Sequence, residues 1–157
     1  MTILSVTAAS TNYYATAPSG PVSVAQALSK LAANPRLKLS ISDSTQNIQN
    51  NIDLLNQYKN NLTALAQTDA STHLSLTAST FNKVSGLLHK ISTNYLVDVS
   101  AAGTASVAGL NSNNHVNSYT VSDISTNIAS QIATLNNSKL TRVSLLDSQN
   151  LVKLTAT

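Results

Sequence analysis

The chain has 157 residues, enough for one domain or two small fused half-domains with a real core. Only 10% of its residues are charged, against about 25% in ordinary soluble domains. Glutamate, cysteine and tryptophan do not occur, and the net charge of +3 comes from nine scattered cations and six aspartates. Disulfides and thiolate metal sites are thereby excluded, no basic stripe exists to track a nucleic-acid backbone, and Asn, Ser, Thr and Gln must keep the surface wet.

Residues 1–20 form a β-prone arm. Ile3-Leu4-Ser5-Val6 is strand-like, a polar stretch leads to Tyr13-Tyr14, and Pro18, Gly20 and Pro21 close the arm as a turn. The start Met1-Thr2-Ile3-Leu4 has neither a basic region nor a long apolar run, so no cleavable signal peptide is expected. No apolar run approaches the roughly 20 residues of a membrane helix, and membrane insertion is not expected.

Ser23 is placed to cap a helix carrying Val24, Leu28 and Leu31, which ends before Asn34-Pro35. Leu37, Leu39 and Ile41 alternate with polar residues, the period of a half-buried strand. Asp43 or Ser44 then caps a helix with Ile48, Ile52, Leu55 and Leu62 along one stripe and Tyr58 beside it, and residues 62–67 begin to read as strand. Residues 73–78 alternate again; Ser79 or Thr80 caps a third helix with Phe81, Val84, Leu87 or Leu88, and Ile91 on one side. Residues 95–100 return to strand.

From there the pattern recurs. Ser42-Asp43-Ser44-Thr45-Gln46-Asn47-Ile48 returns eighty positions later as Ser122-Asp123-Ile124-Ser125-Thr126-Asn127-Ile128. Residues 104–110 are an abbreviated form of the first helix, and residues 116–122 match the strand at 36–42. Ile124, Ile128, Ile132 and Leu135 are expected inward, and residues 140–145 correspond to 62–67. Asp69 and Asp147 correspond as turn residues, and Leu74-Ser75-Leu76-Thr77-Ala78 matches Val152-Lys153-Leu154-Thr155-Ala156. The expectation is an α/β or α+β architecture of two tandem pseudo-repeats (strand-helix-strand-strand-helix), stacked as a layered, solenoid-like domain. Its parts are the arm 1–20, a first repeat 21–94, and a second, incomplete repeat 95–157 whose open edge is a candidate docking surface.

Ser-Val-Ala-x-Ala-Leu at 23–28, Ala-Ala-Asn-Pro at 32–35, the Ser-Ile-Ser-Asp stretch from residue 40, Asn47-Ile48, Lys139-Leu140-Thr141 and Leu154-Thr155-Ala156 together resemble a recurring module of large bacterial surface and type I-secreted proteins. The resemblance implies an extracellular, repeat-built protein of adhesin, surface-layer or matrix-fibre type, exported without a cleaved N-terminal signal. Calcium-binding glycine-rich nonapeptides are missing, and only four glycines occur, so calcium-roll behaviour is not carried over.

Asp43 and Asp123, each before an apolar helical run, read as structural helix caps, and Asp69 and Asp147 as Asx turns. A calcium site would need several converging oxygens, whereas the aspartates are spread along the chain; no cofactor is expected. His73, His89 and His115 lack metal-ligand spacing. No nucleophile elbow or phosphate loop occurs, so no enzymatic activity is expected. The functional expectation is a secreted or cell-surface structural protein that self-assembles with copies of itself into a filament, surface layer or biofilm matrix by repeat stacking and strand addition. The candidate assembly interface comprises Ile3, Leu4, Val6, Tyr13, Tyr14, Leu151, Val152 and Leu154. The alternative is a monomeric adhesin or carbohydrate-binding module whose Tyr and Asn side chains engage cell-surface glycans.

Overall fold

The computed structural model describes residues 19–69 and 71–147. It is an α/β protein in which every strand pairing is parallel. Parallel neighbours cannot be joined by a tight turn, so a crossover must carry the chain back to the start of the next strand. Short helices supply most of these crossovers.

Helix α1 (Val24–Ala33) is closed by a capping box: the Ser23 side chain accepts from Gln26 N–H, and the Gln26 side chain accepts from Ser23 N–H. Its buried face is Val24, Ala27 and Leu31. Strand β1 (Leu39–Asp43) buries Leu39 and Ile41 as the alternation predicts. Helices α2 (Thr45–Asn50) and α3 (Ile52–Gln57) lead through a 3-10 turn at Lys59–Asn61 into β2 (Leu62–Gln67). The chain turns into β3 (Leu74–Thr77), then α4 (Ala78–Lys83), α5 (Ser85–Leu88) and β4 (Val97–Ala102). A 3-10 turn and α6 (Val107–Ser112) precede β5 (Val116–Asp123); α7 (Ser125–Ser130) and α8 (Ile132–Leu135) precede β6 (Leu140–Leu145).

The strands lie in chain order in two sheets, β1-β2 and β3-β4-β5-β6. Single bridges from Val22 to Ile41 and from Leu65 to Ile91 extend the smaller sheet on both sides. Strand β3 pairs with β4 across the expected boundary at residues 94 and 95. One apolar cluster runs through both sheets, from Val22 and Leu31 to Ile128 and Leu135. At the β3 edge, the Ser75 N–H donates to Gln49 Oε1 of α2 at 2.6 Å, so a side chain satisfies a ladder group that no strand reaches.

Four expectations are corrected. The helices expected to start near residues 44, 79 and 124 are each broken in two, at Asn51, Val84 and Gln131. Those residues have ψ near zero (14°, 9° and 13°), where a helix tightens and turns. The N-cap of α4 is Thr77, whose hydroxyl accepts from Thr80 N–H at 3.1 Å, rather than Ser79 or Thr80. Ile124 and Ile132 are exposed: Ile124 is itself the N-cap residue of α7, and Ile132 lacks a covering element among the described residues, whereas Ile52, which follows the equivalent break at Asn51, is buried. Tyr119, which as a hydroxyl-bearing ring on a strand is expected at the edge of the core, is instead fully buried, with its hydroxyl donating to Asn111 Oδ1 at 2.7 Å.

Strand β4 contains one backbone strain. Ala101 has φ of 55°, and the β4–β5 register shifts between Val99 and Ala102. Its N–H donates to Thr120 Oγ1 at 3.0 Å, so the bulge keeps its polar group paired. A Cβ in this left-handed region costs about 1–2 kcal/mol, partly offset in a glycine variant by the greater freedom of its unfolded chain. Ala101 is exposed, and Ala101→Gly is expected to raise the unfolding free energy by about 0.5–1 kcal/mol in urea titrations, with an unchanged denaturant slope.

Candidate functional site

Two carboxylates at strand ends organise the corners. Asp43 ends β1. Its Oδ2 accepts from Val24 N–H at 2.8 Å; its Oδ1 accepts from Ser44 N–H and from Asn47 Nδ2, each at 2.8 Å. Asp123 ends β5 and does the same eighty positions on: Oδ2 accepts from Thr104 N–H (2.9 Å) and Thr104 Oγ1 (2.8 Å), and Oδ1 from Ile124 N–H and Asn127 Nδ2, each at 2.8 Å. The backbone carbonyls match as well, that of Asp43 accepting from Thr68 N–H and that of Asp123 from Leu146 N–H.

The expected helix-cap role of Asp43 and Asp123 is therefore corrected. The residue at the N-cap of α2 is Ser44, whose hydroxyl accepts from Asn47 N–H, and at that of α7 it is Ile124. Each aspartate lies one position earlier, at the end of its strand, and there its carboxylate reaches the opening N–H of the preceding turn of chain, nineteen residues back. The capping carboxylates come instead from the following turn. Asp69 Oδ1 accepts from Thr45 N–H (2.6 Å) and Thr45 Oγ1 (2.7 Å), and Asp147 accepts from Ser125 N–H and Ser125 Oγ, each at 2.7 Å. Asp69 and Asp147, expected as Asx-turn residues, thus also reach across to the orphan N–H groups of helix starts more than twenty residues back.

These bonds set the electrostatics. Burial raises the Asp43 pKa, but the bonds from Asn47, Val24 and Ser44 outweigh it and hold the group below the ordinary carboxylate range. Asp69 is lowered by the backbone and hydroxyl of Thr45, and Asp123 is held far below that range by the backbone and hydroxyl of Thr104, then by Asn127 and Ile124.

The histidines are held apart. His73 Nδ1 lies 3.0 Å from Asp98 Oδ2, while Ser118 Oγ and Asn117 Nδ2 donate to Asp98 Oδ1 at 2.6 and 2.8 Å. The serine therefore bonds the carboxylate, and its proton is directed away from the imidazole that would have to activate it. His115 stacks on Tyr95 with ring centroids 4.1 Å apart. Among the described residues no group of three His, Cys, Asp or Glu side chains could hold a metal ion, and no helix is long and apolar enough to cross a membrane.

The surface feature that stands out is a groove of about 560 Å³ between α7–α8 and β6, lined chiefly by Ile128, Ile132, Leu135, Leu140 and Val143. Ile132 is 45% exposed and Val143 40%. Their sequence counterparts in the first half, Ile48, Ile52, Leu55, Leu62 and Leu65, are all buried, none more than 6% exposed. Val84, Leu87, Leu88 and Ile91 join that first-half core. Among the described residues β6 pairs only with β5, and Leu145 and Leu146 beside it are also exposed.

Sequence reasoning offered an open edge in the second half as a docking surface but placed Ile132 inward, because residues 128–143 repeat the apolar spacing of 48–65, and spacing cannot report whether a face is covered. In the first half the equivalent face is covered by Val84, Leu87, Leu88 and Ile91. The expected interface residues Ile3, Leu4, Val6, Tyr13, Tyr14, Leu151, Val152 and Leu154 lie outside the described residues. No family model, curated protein or solved structure matches the chain.

Because the folded aspartates are depressed, their contribution is fully present above the unfolded pKa of about 3.9 and is lost as pH falls through the lower folded values. The melting temperature is expected to be flat from neutrality to about pH 5 and to fall steadily below about pH 4. Asp123→Asn, which turns an N–H₂ toward one set of donors, is expected to cost about 1–2 kcal/mol at pH 7 and to flatten that acid limb, both readable by calorimetry.

Proposed function

We propose that the chain is a secreted structural protein built from two copies of one parallel α/β unit, wound as a short solenoid, that associates with further copies of itself into a filament, surface layer or matrix. The observation that carries this reading is the groove with the β6 edge: among the described residues an apolar face and a strand edge lie open together at the same place where the first half has both closed. Monomeric proteins blunt strand edges with charge, proline or a covering element. Strand β6 carries one charge, Arg142, and presents Val143 and Leu145.

Other features support it. The hydrogen-bond sets of Asp43 and Asp123 are alike atom for atom at Oδ1, and both Oδ2 atoms reach back to the start of the preceding turn. Strands that follow one another in chain order, each beside the last, are the topology in which every unit contacts only its neighbours. A surface of Asn, Ser and Thr with few charges holds its solvation over wide changes in salt, as an extracellular material requires, and agrees with the resemblance to bacterial surface-protein modules.

Sedimentation velocity and negative-stain electron microscopy test the proposal. Species larger than a monomer are expected to grow with concentration. Val143→Lys and Ile132→Asp, on exposed positions, are expected to return the protein to monomer while leaving its circular dichroism and melting temperature nearly unchanged. A chain that stays monomeric at every concentration refutes assembly. Deleting residues 1–20 asks in the same experiment whether the arm contributes the added strand.

A further inference from the structure

We infer that the groove between α7–α8 and β6 is a docking site for one kind of element, a short amphipathic helix running directly into a parallel strand, with the chemistry that residues 78–93 of this chain present to the first half. This rests on the two-unit reading above and adds to it the nature of the partner. The occupied version of the site is already inside the molecule. There α5 packs on α3, and Val84, Leu87 and Leu88 are buried in the core that includes Ile48, Ile52 and Leu55. A single parallel bridge follows three residues after the helix, the start of strand pairing: Leu65 N–H donates to Lys90 O and Ser92 N–H donates to Leu65 O, each at 2.8 Å, bridging Leu65 to Ile91. Gln67 N–H, one step along, donates to Thr93 Oγ1 at 3.2 Å. The counterparts of those backbone groups belong to Val143 and Leu145, both exposed at the rim of the groove.

The two versions differ at their rims, which sharpens what the open one selects. Around the filled site Lys83 Nζ pairs with Asp53 at 2.9 Å, and Asn56 Nδ2 donates to Lys83 O at 3.4 Å. At the open site Ala133 stands at the counterpart of Asp53, whereas Asn136 keeps the counterpart of Asn56. Recognition therefore falls to the apolar positions equivalent to Val84, Leu87, Leu88 and Ile91, plus strand pairing, and does not depend on an ion pair or respond strongly to salt. An extended arm alone would pair the β6 edge but leave Ile132 uncovered. The helix is the distinguishing part.

The test appends a second copy of residues 78–93 to the full chain after Thr157 through a flexible linker, which raises its effective concentration at the groove. Amide hydrogen exchange at Val143 and Leu145 is expected to slow by about tenfold or more relative to the unmodified chain. Leu87→Asp with Leu88→Asp, made only in the appended copy so that the native α5 is untouched, is expected to restore fast exchange. No slowing overturns the inference. So does protection by an appended copy of residues 1–20 where residues 78–93 give none, which assigns the face to an extended arm. Slow exchange already present in the unmodified monomer also overturns it, because the chain would then cover the groove itself. Absence of self-assembly in sedimentation leaves protection by the appended segment intact, so the two proposals fail separately.

Discussion

The fold depends on what happens at the corner where a parallel strand becomes a helix. Such a corner leaves the first backbone N–H groups of the helix without intrahelical acceptors, and it must repeat at every crossover. Asp43 and Asp123 solve this by spanning successive turns of chain: each binds donors of its own corner with one oxygen and the opening N–H of the preceding turn with the other. Asp69 and Asp147 pass the same service on from the following turn. The carboxylates thus act as rungs between consecutive turns, and a chain with only six acidic residues places four of them there.

With the corners fixed, the apolar side chains have little choice of register. Leu39, Ile41, Leu62 and Leu65 face one interior from paired strands, and Val97, Val99, Tyr119 and Val121 do so in the larger sheet. Short helices broken at Asn51, Val84 and Gln131 fold back over these strands, each break re-aiming the second half of the crossover. Polar side chains close what the ladders leave open. Thr63 and Thr141 hydroxyls donate to the carbonyls of Leu39 and Tyr119, and Lys139 Nζ donates to the carbonyls of Asn111 and Asn113.

Much of this was legible in the sequence where the cause is local. Alternation located β1, β3 and β5, and Ser23 marked the start of α1. The recurrence of Ser-Asp-x-x-x-Asn-Ile located the two principal corners. What stayed hidden has non-local causes. Asp43 looks like a cap because a cap and a strand-end bridge both precede a helix, and only the chain nineteen residues back decides between them. Ile132 has the spacing of a core residue, yet its burial would depend on an element from elsewhere. Gln67, buried on a strand whose other inward residues are leucines, is polar because it donates to Thr45 Oγ1 across the corner.

The bond from Ser75 N–H to Gln49 has a consequence for direction. It gives one backbone donor on the β3 border of the larger sheet a partner from the molecule's own side chain, while among the described residues β6 forms the other border. The two borders of the sheet would therefore receive an added strand differently. Because every pairing in the sheet is parallel, a strand added at β6 in the same sense would leave the two borders of the enlarged sheet unlike.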